Sequence, residues 1–262
     1  MDHETIIYEK RDGIAFVTLN RPEKLNAMNR RMQWELESVY VDVRNDAAIG
    51  ALIISGAGER AFSSGADIAT QGWQPPGEYP LGTRPRRYSN IEDAVAEVGK
   101  PTIAAVHGYC LGGGIELVLA CDMIVAAEDA QFGLPEATIG TLSDSGGIVR
   151  LAKAIGRSKA MEIVMTGNRL SAGEALRLGL VNYVVPRSQM LAKAEELARK
   201  VLSHAPLSVS AGREVVERAL DLPLDAALLV ERELAMKVNR SEDHQEGSRA
   251  FAEKRQPRWK GR

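Results

Sequence analysis

Residues 100–127 read KPTIAAVHGYCLGGGIELVLACDMIVAA. Pro101–His107 is an uninterrupted apolar run of strand length, Gly112-Gly113-Gly114 is a tight turn, Ile115–Ala120 makes a short helix, and Met123–Ala127 is a second apolar run. Strands without polar alternation are buried on both faces. Strand and helix alternating within so few residues mark an α/β core.

Working outward, Ile6–Lys10 and Ile14–Asn20 flank Arg11-Asp12-Gly13 and read as a hairpin. Arg21-Pro22 ends the second strand, residues 29–43 carry helical spacing (Met32, Leu36, Val39, Tyr40, Val43), and Ala51–Ser55 is another buried strand. Residues 69–90 hold four prolines and three glycines without period, so they are expected to form a lid, a binding segment or a disordered loop. Asn90 is expected to cap a short helix reaching Val98. Beyond residue 146 the pattern is mostly helical: Ser171-Ala172-Gly173-Glu174 is a capping-box start, and helical stretches follow near 189–203, 207–220, 223–238 and 241–254. The expected organisation is an α/β core over residues 1–200 and a helical C-terminal segment over 201–262.

The 262 residues are 26% charged and 45% hydrophobic, which excludes a disordered chain, a collagen-like repeat or a coiled coil. Thirty-three basic against 35 acidic residues give a net charge of −2, so no global basic footprint points to nucleic acid. Cys110 and Cys121 lie in apolar stretches and read as small core residues of a reducing compartment. No His, Cys or carboxylate spacing suits a metal. The N-terminus is charged where an export signal is apolar. The longest apolar stretch, around Ile115–Ala127, is interrupted by Glu116 and Asp122 and is too short for a bilayer. The expectation is a cytoplasmic protein with neither membrane nor nucleic acid as partner.

Two carboxylates stand in apolar surroundings. Glu116 is the single charge in GGGIELVLA, and Glu136 sits in FGLPEATIG. Burial disfavours the charged form of a carboxyl group and moves it toward acid–base work. Each has an ordinary reading too, as an ion-pair partner or as a favourable charge at a helix start, and taken alone the pair leans that way. The glycines shift the balance. Gly112-Gly113-Gly114, between strand and helix, aims backbone N–H groups outward in anion-binding fashion. It has neither the Lys-Ser/Thr of a P-loop nor the G-x-G-x-x-G pattern, so a thioester enolate fits as well as a phosphate. Ser63-Ser64-Gly65-Ala66-Asp67 offers a second turn for an opposing N–H.

At these residues the sequence resembles the enoyl-CoA hydratase/isomerase (crotonase) family over essentially its whole length. The matching stretches, in the family's order, are LNRPEKLNAM (19–28), AFSSGADI (61–68), KPTIAAVHGYCLGGGIELVLACDMIVA (100–126), AQFGLPEATIG (130–140) and AFAEKRQPRWKGR (250–262). The resemblance implies a spiral of ββα units with a helical C-terminal extension. It further implies that Ala66 N–H and Gly113 N–H form an oxyanion hole, that Glu116 activates water, and that Glu136 exchanges the α-proton. It places Lys24 and Leu25 beside the nucleotide of coenzyme A and Ala66, Asp67 and Ile68 along the pantetheine. It has Phe251 and Lys254 reaching coenzyme A, commonly from a neighbouring subunit; without it they read as a core aromatic and a solvated lysine. It implies a homotrimer or a pair of trimers, and no cofactor, coenzyme A entering as part of the thioester substrate.

One stretch departs from the pattern. Many straight-chain hydratases of the family carry Pro-Gly-Ala-Gly-Gly after the second glutamate, whereas this chain has Ser143-Asp144-Ser145-Gly146-Gly147. Asp144 is therefore a candidate third acid. Dienoyl-CoA isomerases and the carnitinyl-CoA dehydratase (crotonobetainyl-CoA hydratase) branch carry an acid at the matching place, and the C-terminal ending is similar to that branch. The ordinary reading makes Asp144 a surface or helix-capping residue, Ser143 and Asp144 both being ordinary N-cap types. The expected activity is hydration of a 2-enoyl-CoA to a 3-hydroxyacyl-CoA, with crotonobetainyl-CoA hydration and enoyl- or dienoyl-CoA isomerisation as alternatives. Two readings from other classes are weaker. The Asp-Ser-Gly-Gly run resembles a serine-protease turn, but His3, His107, His204 and His244 stand in no supporting motif. Arg84, Arg86 and Arg87 form a small basic patch that suits coenzyme A phosphates or loop solubility better than RNA.

Overall fold

The computed structural model describes residues 3–68 and 94–262. The expected 69–90 loop, its three arginines and the Asn90 cap lie outside the described residues. The chain divides into two compact units, Met1–Glu196 and Leu197–Arg262.

In the first unit, β1 (Ile6–Arg11) and β2 (Ile14–Leu19) are antiparallel. Asp12 and Gly13 both take positive φ, 51° and 77°, the turn whose twist matches a two-residue hairpin. From β2 the sheet continues with parallel neighbours β3 (Ala51–Gly56), β5 (Thr102–Val106), β7 (Met123–Ala127) and β10 (Tyr183–Val185). Every residue of β5 is buried, as are the first five of β3. Three short strands follow the inner strands of this sheet: β4 (Ala61–Ser63) after β3, β6 (Tyr109–Leu111) after β5, and β8 (Gln131–Gly133) after β7. They pair with one another and with β9 (Leu170–Ser171) in a second, four-stranded sheet. The chain thus visits the large sheet, then the small one, then a helical turn, and repeats. That is the expected spiral of ββα units.

Asn29 caps α1 (Arg30–Asn45) by accepting from Met32 N–H at 2.9 Å, and Met32, Leu36, Val39, Tyr40 and Val43 form its buried stripe. The short helix α2 (Gly113–Leu119) is buried from Gly113 to Val118. Helices α3 (Gly147–Ile155), α4 (Arg157–Thr166) and α5 (Ala172–Arg177) follow, the last opened by the Ser171/Glu174 capping box, and α6 (Met190–Leu202) comes next.

The second unit holds α7 (Pro206–Ala219), α8 (Leu224–Asn239) and α9 (Glu242–Glu253). Its tail folds back on α9. Buried Asp243 accepts from Lys260 and Gly261 N–H at 2.7 and 2.9 Å, and Trp259 Nε1 donates to Ser203 O at 2.8 Å. A Cβ on Gly247 would stand 3.2 Å from the Trp259 ring. Among the described residues no helix is long and apolar enough to cross a membrane.

Candidate active site

Two glycine turns meet at van der Waals distance where β4 and β6 end. A Cβ built on Gly65 would lie 2.9 Å from Leu111 O, 3.0 Å from Gly113 N and 3.3 Å from Gly112 Cα, and Gly65 has φ 98°. Gly112 has φ 54° and ψ −128°. A side chain at Gly65 would force the two turns apart, while Gly112 requires glycine for its left-handed backbone.

The first turn is held from below. Met28 N–H donates to Gly65 O at 2.8 Å and Asp67 N–H to Met28 O at 3.0 Å, which makes Met28 and Ala66 partners in a parallel bridge. In that pairing the N–H of Ala66 itself points away from Met28. Across the turn Gly112 N–H bonds Gly133 O at 3.1 Å. Gly113 is the first residue of α2, where an N–H has no intrahelical acceptor. The structure therefore brings together Ala66 and Gly113, the two residues expected to supply backbone donors.

Lys24 and Leu25 belong to the same construction. Ser64 N–H donates to Leu25 O at 2.9 Å, which lays residues 24–25 beside the strand leading to Ala66, Asp67 and Ile68. Ile68 is 75% exposed, an apolar side chain facing outward at the edge of the site. Three residues that sequence reasoning passed over hold this arrangement. Arg21 donates to Asp67 at 2.8 Å, both side chains nearly buried, and to Ala27 O. Fully buried Asn26, with φ 53°, accepts from Arg21 N–H and donates from Nδ2 to Ala57 O and Ala61 O, each at 2.9 Å. Ser63 Oγ donates to Asn26 O at 2.9 Å. The available signal was Asn after Lys-Leu, since Asn tolerates the left-handed conformation.

Glu116 lies on α2, 4% exposed. Its Oε1 accepts from Ser145 N–H at 3.0 Å and from the Ser143 hydroxyl. Both donors come from the loop before α3. A Cβ on Gly147, the first residue of α3, would stand 2.6 Å from Ser143 Oγ and 2.8 Å from Glu116 Cγ. Glycine at that position lets the helix start against the carboxylate.

Glu136 opens the single helical turn Glu136–Ile139 after β8. Its Oε1 lies 3.4 Å from where a Gly112 Cβ would be, at the mouth of the glycine turn. Oε2 is buried without a hydrogen-bond partner among the described residues. Burial pushes this carboxyl group above the ordinary range, and the negative charges of Glu116 and Asp144 push in the same direction against a hydrogen bond from its own backbone. Glu116, Glu136 and Asp144 thus form one electrostatic cluster.

Asp144 is exposed and its Oδ1 accepts from Ser145 Oγ at 3.3 Å. The helix-capping reading of this loop is corrected. The residue capping α3 is Gly146, with φ 84° and no side-chain cap, and the Ser143 hydroxyl is committed to Glu116. Of the C-terminal pair, Phe251 is 87% exposed, not a core aromatic, and Lys254 ends α9 in the left-handed conformation. Cys110 is buried and Cys121 half-buried, and neither is in a disulfide.

The enoyl-CoA hydratase/isomerase family model matches residues 9–262. The chain is 42% identical over 257 residues to a probable mitochondrial enoyl-CoA hydratase of Dictyostelium discoideum, covering 96% of this chain and 89% of that one. It is 40% identical over 265 residues to the carnitinyl-CoA dehydratase of Escherichia coli K12, covering 99% of each. Among solved structures, an enoyl-CoA hydratase of Bacillus anthracis superposes with a TM-score of 0.87 at 33% identity, over 99% of this chain and 100% of that one. An enoyl-CoA hydratase of Mycobacterium tuberculosis superposes with 0.88 at 34% identity, over 98% and 99%.

Proposed function

Since the chain belongs to the enoyl-CoA hydratase/isomerase family, we propose that it is a hydro-lyase that reversibly adds water to a 2-enoyl-CoA, giving a 3-hydroxyacyl-CoA. The observation that carries this reading is the placement of two glutamates, Glu116 and Glu136, around the contact between the Gly65 and Gly112 turns.

Each group has one task. Ala66 N–H and Gly113 N–H hold the thioester oxygen as negative charge develops on it, each preorganised donor being worth about 3–4 kcal/mol in a dry site. Glu116 takes a proton from water as the oxygen adds to Cβ of the acyl chain. Glu136, whose protonated form is favoured by burial, delivers the proton to Cα. In the reverse direction the two exchange roles. Lys24, Leu25, Ala66, Asp67 and Ile68 line the coenzyme A moiety, with Phe251 and Lys254 joining from a neighbouring subunit of a homotrimer or a pair of trimers. Because the charge is met by backbone donors, the reaction as proposed uses no metal or redox cofactor. The cytoplasm is the proposed compartment.

A second reading is favoured by one observation. Asp144 lies close enough to Glu136 to raise it, and this reading sets its negative charge beside the acyl tail. A cationic tail, as in crotonobetainyl-CoA, suits it. The test is loss of conjugated-thioester absorbance with crotonyl-CoA and crotonobetainyl-CoA in parallel. Turnover of either supports hydration and the ratio selects between the readings. No turnover of either, with coenzyme A thioesters still bound, overturns hydration in favour of isomerisation.

A further inference from the structure

The carboxylate of Glu116 is not held symmetrically. Both of its protein donors, the Ser143 hydroxyl and the Ser145 N–H, converge on Oε1, and Oε2 receives none among the described residues. Ser145 N–H is a backbone donor and is present whatever the side chain. Ser143 is different, because its donor exists only as a hydroxyl, and the structure spends a glycine on making room for it: a Cβ on Gly147 would stand 2.6 Å from Ser143 Oγ. Rotamers of a Glu side chain differ by a terminal torsion that is broad and roughly two-fold. A single donor on Oε1 leaves that torsion loose, whereas two donors from different directions fix it.

We propose that Ser143 is a positioning residue for the hydration step: its hydroxyl and Ser145 N–H together engage Glu116 Oε1, which commits Oε2 as the oxygen that takes the proton of the attacking water. The inference rests on the hydratase reading. Ser143 touches neither substrate nor water in this role and acts through Glu116. A base that must meet a water at hydrogen-bond distance is sensitive to small displacements, and about 1 Å of misplacement can cost on the order of a hundredfold in rate.

The role separates the two glutamates. Exchange of the α-proton needs the oxyanion hole and Glu136, and Glu136 has no bond to Ser143. Addition of water needs Glu116. Replacing Ser143 by Ala should lower kcat for hydration of crotonyl-CoA (or of crotonobetainyl-CoA, whichever the wild type turns over) by about 10- to 100-fold, with KM within about twofold. Solvent-deuterium exchange at Cα of butyryl-CoA should stay within about twofold of wild type, and Ser143→Thr, which keeps the hydroxyl, should recover most of the hydration rate. A Ser143→Ala enzyme that hydrates at the wild-type rate overturns the proposal, as does one in which hydration and exchange fall together or Thr fails to rescue, since these mark a general disturbance of the site. A wild-type enzyme that exchanges the α-proton but hydrates neither substrate overturns the hydratase reading itself, and this role with it.

Discussion

Ser145 N–H and Glu116 Oε1 lie 3.0 Å apart although 29 residues separate them in the chain, and the loop that supplies this bond leads straight into α3 at Gly147. Gly147 has no positive φ, so its requirement is space alone. Gly147→Ala places a methyl group 2.6 Å from Ser143 Oγ and 2.8 Å from Glu116 Cγ, and both neighbours are tethered to one another. The expected cost is about 1–3 kcal/mol of stability, as for overpacking generally, with kcat for hydration down at least about tenfold because the carboxylate is what moves. Denaturant unfolding and initial rates check this, and unchanged kcat at full stability would show that the loop yields instead.

Glu136 couples activity to stability with a sign that can be tested. Its folded-state pKa lies above the unfolded value, chiefly through burial. The contribution of its protonated form is therefore present below the unfolded value and is lost as pH rises through the folded one. Ionising the group in the folded state works against the fold. Glu136→Gln should lower hydration by about 10²- to 10⁴-fold while raising the unfolding temperature, and the gain should be larger at pH 7.5 than at pH 4. Thermal unfolding at both pH values decides it; an equal gain at both would mean that the shape of the side chain, not its charge, sets the difference.

Glu35 shows the opposite sign. This buried residue of α1 accepts from Glu4 N–H at 2.9 Å, Thr5 N–H at 3.0 Å, Thr5 Oγ1 at 2.5 Å and Arg31 Nε at 2.9 Å. Burial alone would raise it, but the four donors together hold it below the ordinary range. Its stabilisation is present above the unfolded value and lost as pH falls through the folded one. Glu35→Gln, which leaves donors facing an amide, should cost about 1–3 kcal/mol at pH 7 and much less near pH 3. Urea unfolding across that interval measures it.

The sequence was most readable where one element carries many positions. Asn29 and the apolar spacing after it located α1 to within two residues, and Arg11-Asp12-Gly13 located the hairpin turn, although Arg11 itself closes β1. The strands β4, β6 and β8 were not legible, because three residues are too few for a period. Their pairing depends on the chain returning to the same sheet after each strand of the larger one. The site divides the same way. Glu116 was conspicuous as a charge on an otherwise apolar helix. Asn26 was not, since its demands are met by Ala57 O and Ala61 O, contacts made only once the spiral closes. Ser143 looked like a helix cap because a hydroxyl before a helix commonly is one. Only the approach of α2, far upstream in sequence, gives it a carboxylate instead.

Asp144 gives the sharpest test of substrate class. It is exposed, and its carboxylate is felt at Glu136. A quaternary ammonium about 5 Å from it would gain about 3 kcal/mol at an effective dielectric of 20. Solvent screening at an exposed residue brings the usable part to about 1 kcal/mol or less. Asp144→Asn keeps the shape and removes the charge. If the acid recognises a cationic tail, kcat/KM for crotonobetainyl-CoA should fall about fivefold relative to crotonyl-CoA, and added salt should shrink the wild-type preference while leaving the variant unchanged. If instead the charge serves proton transfer by holding Glu136 up, both substrates should lose rate by the same factor, because α-proton delivery is common to both. The ratio of the two specificity constants, measured at two ionic strengths, separates recognition from catalysis without requiring that either substrate be the physiological one.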